Sequence, residues 1–142
     1  MKNRISIILL LVPFLIPAQG VLKLEKDTID IGLVVIPLDS TGKIATSTYR
    51  DVEFKFQNTG NEPLIISSCN GGGKGFANLP STPLLPGKAD QFKVTIYQFK
   101  YLTPIDKDGL HAFCTELILT GNFVGEKRKI YVKGYTKLFR KG

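Results

Sequence analysis

The amino-acid sequence predicts an all-β chain that folds as an antiparallel β-sandwich of about seven strands. Apolar residues alternate with polar ones in one segment after another, as Val52, Phe54 and Phe56 do along residues 49–58. Glycine, proline and asparagine recur between these segments at short intervals, and helical periodicity is nearly absent beyond the N-terminus. About seven short strands is the number that an immunoglobulin-like organisation needs.

The predicted strands follow one another without an internal repeat or a domain-splitting linker. A long polar loop is expected over 37–48, and a glycine-rich connection followed by a proline-rich one over 71–90. We therefore expect one sandwich domain over residues 21–136 and a basic C-terminal tail over 137–142. The predicted strands are 21–25, 28–36, 49–58, 63–68, 91–101, 112–122 and 127–137.

The N-terminus has the pattern of a cleaved signal peptide over residues 1–20. Lys2 and Arg4 precede an apolar run over 5–16, and small residues follow, so cleavage is expected after Ala18 or after Gly20. The run is shorter than the roughly 20 residues that span a bilayer. We expect an exported protein of the periplasm or cell surface, or a secreted one, with no transmembrane segment in the mature chain.

The positive charge is concentrated at the C-terminal end. The whole chain has a formal net charge of +7, but residues 126–142 hold seven basic residues and one acidic residue. The segment 21–125 holds 10 basic and 11 acidic residues. Because no basic face extends across the domain, the composition argues against nucleic-acid binding. Lys127, Lys129 and Lys133 are better explained as charged residues that protect a solvated edge strand from pairing with another chain.

The segment 58–64 is predicted to be a turn leading into a strand. Asn58 and Asn61 suit turn positions because their side chains bond to nearby backbone. Gly60 is expected to supply a positive φ. Pro63 suits the first position of a strand, where the ladder needs no donor.

The order of motifs along the chain resembles an exported bacterial family known as domain of unknown function 1573. The resemblance covers roughly residues 27–136. It implies an immunoglobulin-like sandwich related to Hydin-type and sperm-protein-type modules, and it implies no established activity. The residues that carry it are the pair Ile31-Gly32, the run Phe54, Phe56, Asn58, Gly60, Pro63 and Leu64, and the turn Pro86-Gly87.

Three further motifs favour structure over chemistry. The run 71–75 lacks both the first glycine and the hydroxyl of a phosphate-binding loop, so a flexible inter-strand loop is expected. His111 is the single histidine, which excludes a histidine-rich metal site and favours a loop or strand-edge position. In the calcium-like run 106–109 the twelfth position is Leu117, so a turn with Gly109 at positive φ is expected.

Cys69 and Cys114 are the two cysteines of the chain. In an oxidising compartment they form either a disulfide or two free thiols, with a metal or redox site as the third alternative. The family resemblance implies a Cys-Gly-Cys pair where this chain has Cys69-Asn70-Gly71, so the second cysteine of that pair is missing.

The segment 94–101 has an unusual distribution of aromatic residues. Val94 and Ile96 are expected in the core, whereas Tyr97, Phe99 and Tyr101 have the opposite parity. Three aromatic side chains on an outward face would form a binding surface. A β-bulge near residue 97, which would turn them inward, is the alternative.

These observations favour a non-catalytic exported module that binds a cell-envelope protein or polysaccharide. No cofactor is expected, and no catalytic residue is assigned. A structural or assembly subunit of an envelope or surface complex is the second hypothesis, and a metal or thiol-redox protein is the third. The first rests on the fold class and not on a recognised site.

Overall fold

The computed structural model describes residues 19–41, 48–97 and 109–140, which form eight strands. The fifth strand lies in the segment that the sequence pattern assigned to a glycine-rich connection. The strands are β1 (Leu22–Leu24), β2 (Thr28–Leu38), β3 (Arg50–Asn58), β4 (Ile66–Asn70), β5 (Gly75–Asn78), β6 (Ala89–Ile96), β7 (His111–Gly121) and β8 (Lys127–Arg140).

The strands form two sheets of four, which confirms the all-β sandwich. The first sheet has the order β1-β3-β6-β5 and is antiparallel throughout. The second sheet has the order β2-β8-β7-β4. Its β2 runs parallel to β8, so the expectation of a purely antiparallel sandwich was wrong for this pair. A parallel pair is possible here because β2 and β8 are joined through the rest of the domain.

Aromatic and aliphatic side chains from alternate positions fill the space between the sheets. Phe54 of β3 lies opposite Phe92 of β6, and their rings stack with centroids 5.6 Å apart. Phe56 packs against the same ring at 5.7 Å. Val94 and Ile96 are fully buried, as the alternation of β6 predicted. The core therefore follows the period-two pattern of the sequence.

A bulge in β2 reverses which residues of this strand face the core. The pairing with β8 shifts between Asp30 and Leu33. Gly32 adopts a φ of 73°, and its backbone N–H donates to Asp30 Oδ1 at 2.8 Å. Before the bulge Ile29 and Ile31 pack on the core, whereas beyond it the buried residues are Val34 and Ile36. The extra residue turns the following odd-numbered side chains outward.

Asn58 joins the end of β3 to three other segments. The residue is fully buried, and its Oδ1 accepts hydrogen bonds from the backbone of Val21 at 3.3 Å and of Gly60 at 3.0 Å. Its Nδ2 donates to the carbonyls of Glu62 at 2.7 Å and Leu84 at 2.9 Å. Asn58 thus bonds to nearby turn backbone, as predicted, and also to backbone distant in sequence, at Val21 and Leu84.

The glycine of this turn has a different role from the expected one. Gly60 is not among the glycines with positive φ. A Cβ at this position would lie 2.7 Å from the carbonyl oxygen of Gln19 and 2.8 Å from the nitrogen of Val21. Close approach of the N-terminal segment therefore requires the glycine. Gly109 does have the expected positive φ, at 76°.

The glycine-rich run carries the chain from β4 in the second sheet to β5 in the first. Gly72 and Gly73 have φ values of 62° and 80°, which residues with a Cβ rarely adopt. The N–H of Lys74 donates to the carbonyl of Gly71 at 3.2 Å, which closes the turn. The run is thus an inter-strand loop, as expected.

Both ends of the predicted domain need correction. Gly20 forms a parallel bridge with Phe123, and its carbonyl accepts a hydrogen bond from Val124 at 3.1 Å, so this residue is part of the sandwich. Residues 137–140 are not a tail, because β8 pairs with β2 as far as Arg140. Within the described ranges no helix has the length and apolarity to cross a membrane.

Candidate functional site

Tyr97 lies on the outer face of the first sheet, as its parity predicted. Strand β6 ends at Ile96, and the N–H of Tyr97 then donates to the carbonyl of Lys74 at 3.0 Å. The side chain is 41% exposed, whereas Ile96 is fully buried. No bulge near residue 97 turns this ring inward. Phe99 and Tyr101, the other two residues of the predicted surface, lie outside the described residues.

Phe76 of β5 is the neighbour of Tyr97 on this face. It is 55% exposed, and the two ring centroids lie 6.1 Å apart with an angle of 38° between the ring planes. The register places Phe76 opposite Thr95 of β6. Gly75 allows β5 to approach β6 closely, because a Cβ on Gly75 would lie 2.7 Å from the carbonyl oxygen of Thr95.

A third ring and a polar floor complete an open groove on the same face. Tyr49, which is 59% exposed, immediately precedes Arg50, and Arg50 pairs with Ile96. Tyr49, Phe76 and Tyr97 therefore surround one end of the β3-β6-β5 face. The groove has a volume of about 520 Å³. We call it the aromatic groove, and its lining is Tyr49, Asp51, Phe76, Ala77, Asn78, Lys93, Thr95 and Tyr97.

The floor of the aromatic groove is a connected set of polar side chains. Thr95 Oγ1 donates a hydrogen bond to Asp51 Oδ1 at 2.6 Å. Lys93 Nζ lies 3.8 Å from Asp51 Oδ2, with both side chains about half exposed. An exposed ion pair of this kind contributes little to stability, about 0–1 kcal/mol. Its effect is to hold the carboxylate and the ammonium group in place beside the three rings.

Sequence reasoning missed two of the three rings. Tyr49 has the same parity as the outward-facing Asp51, so the alternation of the third strand contained the signal for it. Phe76 follows Lys74 and Gly75 after the triple glycine, in a stretch interpreted as loop. A four-residue strand that begins with a glycine has too few alternating positions to be recognised by pattern alone.

The two cysteines lie on opposite faces of the second sheet. Cys69 of β4 pairs with Leu119 and packs against the core, whereas Cys114 of β7 is exposed and pairs with Lys133. Cys114 lies five positions before Leu119 on β7, which corresponds to roughly 16 Å along a strand. A disulfide needs Cα atoms within about 7 Å. Both thiols are free, so the disulfide hypothesis is not compatible with this fold.

The other residues with reactive or metal-binding side chains do not form a common site within the described ranges. Burial raises the pKa of the Cys69 thiol to about 11, which leaves it protonated and unreactive at neutral pH. His111 is buried at the start of β7, a strand-edge position as expected. Among residues 19–41, 48–97 and 109–140, no three histidine, cysteine or acidic side chains are close enough to hold a metal ion.

A known protein family matches most of this chain. The sequence profile of a family described as "Protein of unknown function (DUF1573)" matches residues 39–135. This range contains β3 to β7 and most of β8, and with them the whole aromatic groove. No curated protein sequence matches the chain.

Several solved structures are similar to this chain. A protein of unknown function from Porphyromonas gingivalis W83 superposes with a TM-score of 0.58 at 19% identity, over 87% of this chain and 50% of that one. The secreted serine protease VesC from Vibrio cholerae gives a TM-score of 0.50 at 13% identity, over 82% of this chain and 23% of that one. A PapD-like domain of human CEP192 gives 0.46 at 10% identity, over 89% and 90%. At these identities the first two likenesses show the fold alone, and this chain spans half or less of those two proteins.

Proposed function

The chain belongs to the DUF1573 family of proteins of unknown function, and we propose that it is an exported, non-catalytic module that binds an envelope polysaccharide in the aromatic groove. The signal-peptide pattern of residues 1–20 supports the exported location. The groove supports the binding role and the class of ligand.

The observation that carries this proposal is the exposure of three aromatic rings around a polar floor. Tyr49, Phe76 and Tyr97 are each between 41% and 59% exposed. A soluble chain gains nothing by leaving neighbouring rings in water, and such patches are typical of binding surfaces. The rings offer flat apolar area, whereas Asp51 and Lys93 offer an acceptor and a donor within the same groove.

A sugar ring has the matching chemistry, because its C–H face is apolar and its edge carries hydroxyl groups that both donate and accept. A second groove at the other end of this face illustrates the difference. It has a volume of about 600 Å³, but its rim is formed by charged and amide side chains such as Lys23, Glu25 and Lys55. Only one end of the face thus combines exposed rings with hydrogen-bonding groups among the described residues.

The number of carboxyl groups in the groove favours binding of a polysaccharide over its cleavage. Asp51 is the one acid among the described lining residues. Its carboxylate already accepts from Thr95 and lies beside the Lys93 ammonium group. Most glycosidases need two carboxyl groups that flank the scissile bond. The groove supplies one, in the role of a hydrogen-bond acceptor.

Sedimentation with insoluble envelope polysaccharide tests this function. The variant Phe76→Ser/Tyr97→Ser is expected to bind about tenfold more weakly than the wild type, because two stacking rings are lost. The matched control is Tyr135→Ser/Phe139→Ser, which removes one tyrosine and one phenylalanine of similar exposure from the other sheet. Equal binding by all three proteins would contradict the proposal. Binding that protease treatment of the envelope fraction abolishes would identify a protein ligand in place of a polysaccharide.

A further inference from the structure

A second exposed surface lies on the opposite side of the sandwich, on the outer face of β2 and β8. We call it the basic-aromatic face and define it by Leu33, Val35, Lys133, Tyr135, Lys137 and Phe139. It belongs to the second sheet, whereas the aromatic groove lies on the outer face of the first. Binding at the basic-aromatic face is therefore independent of the function proposed for the groove.

The bulge at Gly32 creates the apolar half of this face. Beyond the bulge Val34 and Ile36 enter the core, and Leu33 and Val35 are turned outward with exposures of 52% and 43%. A regular strand that continued the parity of Ile29 and Ile31 would have buried both. The side chains that face water are thus aliphatic, in a strand whose register is set by its pairing with β8.

Strand β8 supplies the aromatic and basic half. Val132 and Thr136 of this strand point into the core, so the odd-numbered residues from Lys133 to Phe139 point outward. Tyr135 is 45% exposed and lies beside Leu33, and Phe139 is 54% exposed and lies beside Pro37. Four half-exposed side chains of this size expose on the order of 400 Å² of apolar surface, which is within the range of functional patches.

The central and C-terminal part of the face carries positive charge. Lys133 and Lys137 alternate with the two rings along β8, and Lys137 lies beside Val35. No acid occurs in residues 32–38 or 134–139 of the sequence. Asp30 and Asp39 lie at the two ends of this part of β2, where their carboxylates accept hydrogen bonds from Gly32 and Thr41 respectively. Asp30 also lies opposite Lys133, so this lysine has a carboxylate across the strand pair, whereas Lys137 lies among apolar side chains at the centre of the face.

We propose that the basic-aromatic face docks on an anionic lipid surface. Lipid phosphates match the lysines, and the boundary between headgroups and acyl chains accommodates the exposed rings and aliphatic side chains. A second copy of this chain is a poorer occupant, because packing two such faces together would bury Lys137 of each copy among apolar side chains, and residues 32–38 and 134–139 contain no acid to pair with it. An anionic membrane offers both kinds of partner at once: negative charge for the lysines, and an apolar layer for the exposed rings and aliphatic side chains.

Vesicle co-sedimentation tests this inference on the full chain. Vesicles of phosphatidylcholine with phosphatidylglycerol are expected to bind the protein, and vesicles of phosphatidylcholine alone much less. Lys133→Ser/Lys137→Ser is expected to weaken binding roughly 30-fold, and Tyr135→Ser/Phe139→Ser by about tenfold or more. The matched controls on the first sheet are Lys23→Ser/Lys55→Ser and Phe76→Ser/Tyr97→Ser. Every variant keeps the same apolar residues 5–16, so differences between variants report on the face.

A fluorescence measurement keeps the test valid if a serine variant does not fold. The sequence contains no tryptophan, so Phe139→Trp places a single reporter on the face. Its emission is expected to shift to the blue on addition of phosphatidylglycerol vesicles and to remain unchanged with phosphatidylcholine. The absence of a shift would overturn the proposal. So would an equal loss of binding in Lys23→Ser/Lys55→Ser, since this would indicate attraction by net charge without a specific face.

Discussion

The ring of Phe76 lies 6.1 Å from the ring of Tyr97, although both side chains are about half exposed. The contact joins β5 to the end of β6, and it depends on the close approach of the two strands at Gly75. These two rings contact each other on the outer face of the first sheet and are not part of the core. Their contact is the central feature of the aromatic groove. The aromatic residues of the first sheet thus fall into two groups: buried rings that stabilise the fold, and exposed rings that are available to a ligand.

Unfolding measurements distinguish these two roles. Phe76→Ala is expected to lower the free energy of unfolding by about 1 kcal/mol or less, because the side chain is largely in water. The control Phe92→Ala, in the core, is expected to cost about 3–5 kcal/mol. Urea denaturation of both variants provides the comparison. A cost for Phe76→Ala as large as that for Phe92→Ala would show that Phe76 belongs to the core and would remove it from the groove.

Asn58 is expected to be the polar residue with the largest effect on stability in this region. Asn58→Ala removes four side-chain hydrogen bonds of a fully buried residue and takes one partner each from the part-buried backbone groups of Val21 and Leu84. We expect a loss of about 3 kcal/mol in the free energy of unfolding. Asn61→Ala is the control, since Asn61 is exposed in the same turn and its replacement should change stability little. Similar effects of the two variants would contradict the role of Asn58.

The two cysteines are expected to behave as unequal free thiols. A thiol-specific reagent should label Cys114 rapidly in the folded protein and Cys69 only slowly, and unfolding without reductant should release two thiols per chain. Mass spectrometry of the labelled chain, with Cys114→Ala as control, assigns the fast site. Recovery of fewer than two thiols per monomeric chain would contradict the separation of Cys69 and Cys114 in this fold.

The raised pKa of Cys69 also predicts a dependence of stability on pH. Burial raises the pKa to about 11 from an ordinary value of 9.0, so between these values the unfolded chain releases a proton that the folded chain keeps. Stability contributed by the neutral thiol is complete below pH 9 and falls as the pH rises toward 11. Denaturation at several pH values should show a shallower fall for Cys69→Ala than for the wild type. An identical pH profile for both proteins would be the contrary result.

Signal removal is expected after Ala18 and not after Gly20. Gly20 accepts a hydrogen bond from Val124, and a Cβ at Gly20 would lie 2.9 Å from the Cα of Leu64, so the residue fits tightly into the sandwich. Cleavage after Ala18 leaves this glycine in the mature domain. Intact-mass measurement of the exported protein should therefore give Gln19 as its first residue. A mature chain that begins at Val21 would contradict this prediction.

The regular strands could be predicted from sequence, whereas the irregular ones could not. The alternation of Val52, Phe54 and Phe56 predicted the third strand and its buried face, because period two is a property of the strand itself. The bulge at Gly32 breaks that period at one residue. From the sequence alone, a single glycine in a strand pattern fits either a bulge within the strand or the end of the strand. The parallel pairing of β2 with β8 depends on contacts about 100 residues apart along the chain, which no local pattern contains.

The candidate site could be predicted in part for the same reason. The parity of Tyr97 against Ile96 indicated an outward side chain, and its 41% exposure agrees with that one of the two alternatives, whereas its part in a binding surface stays a prediction. Phe76 could not be found, because its place in the groove depends on the register between β5 and β6. Gly60 illustrates the converse, since its requirement comes from the approach of Gln19 and Val21 and not from its own backbone angle. Interactions between distant segments determine these positions.

An NMR titration of the aromatic side-chain resonances with soluble polysaccharide released from the organism's own envelope reports whether a polysaccharide occupies the aromatic groove. We predict saturable shifts for Tyr49, Phe76 and Tyr97, with no change for Tyr135 and Phe139 on the opposite sheet. Shifts confined to the opposite sheet would contradict binding in the aromatic groove. So would the absence of shifts with a polysaccharide whose insoluble form carries the protein into the pellet.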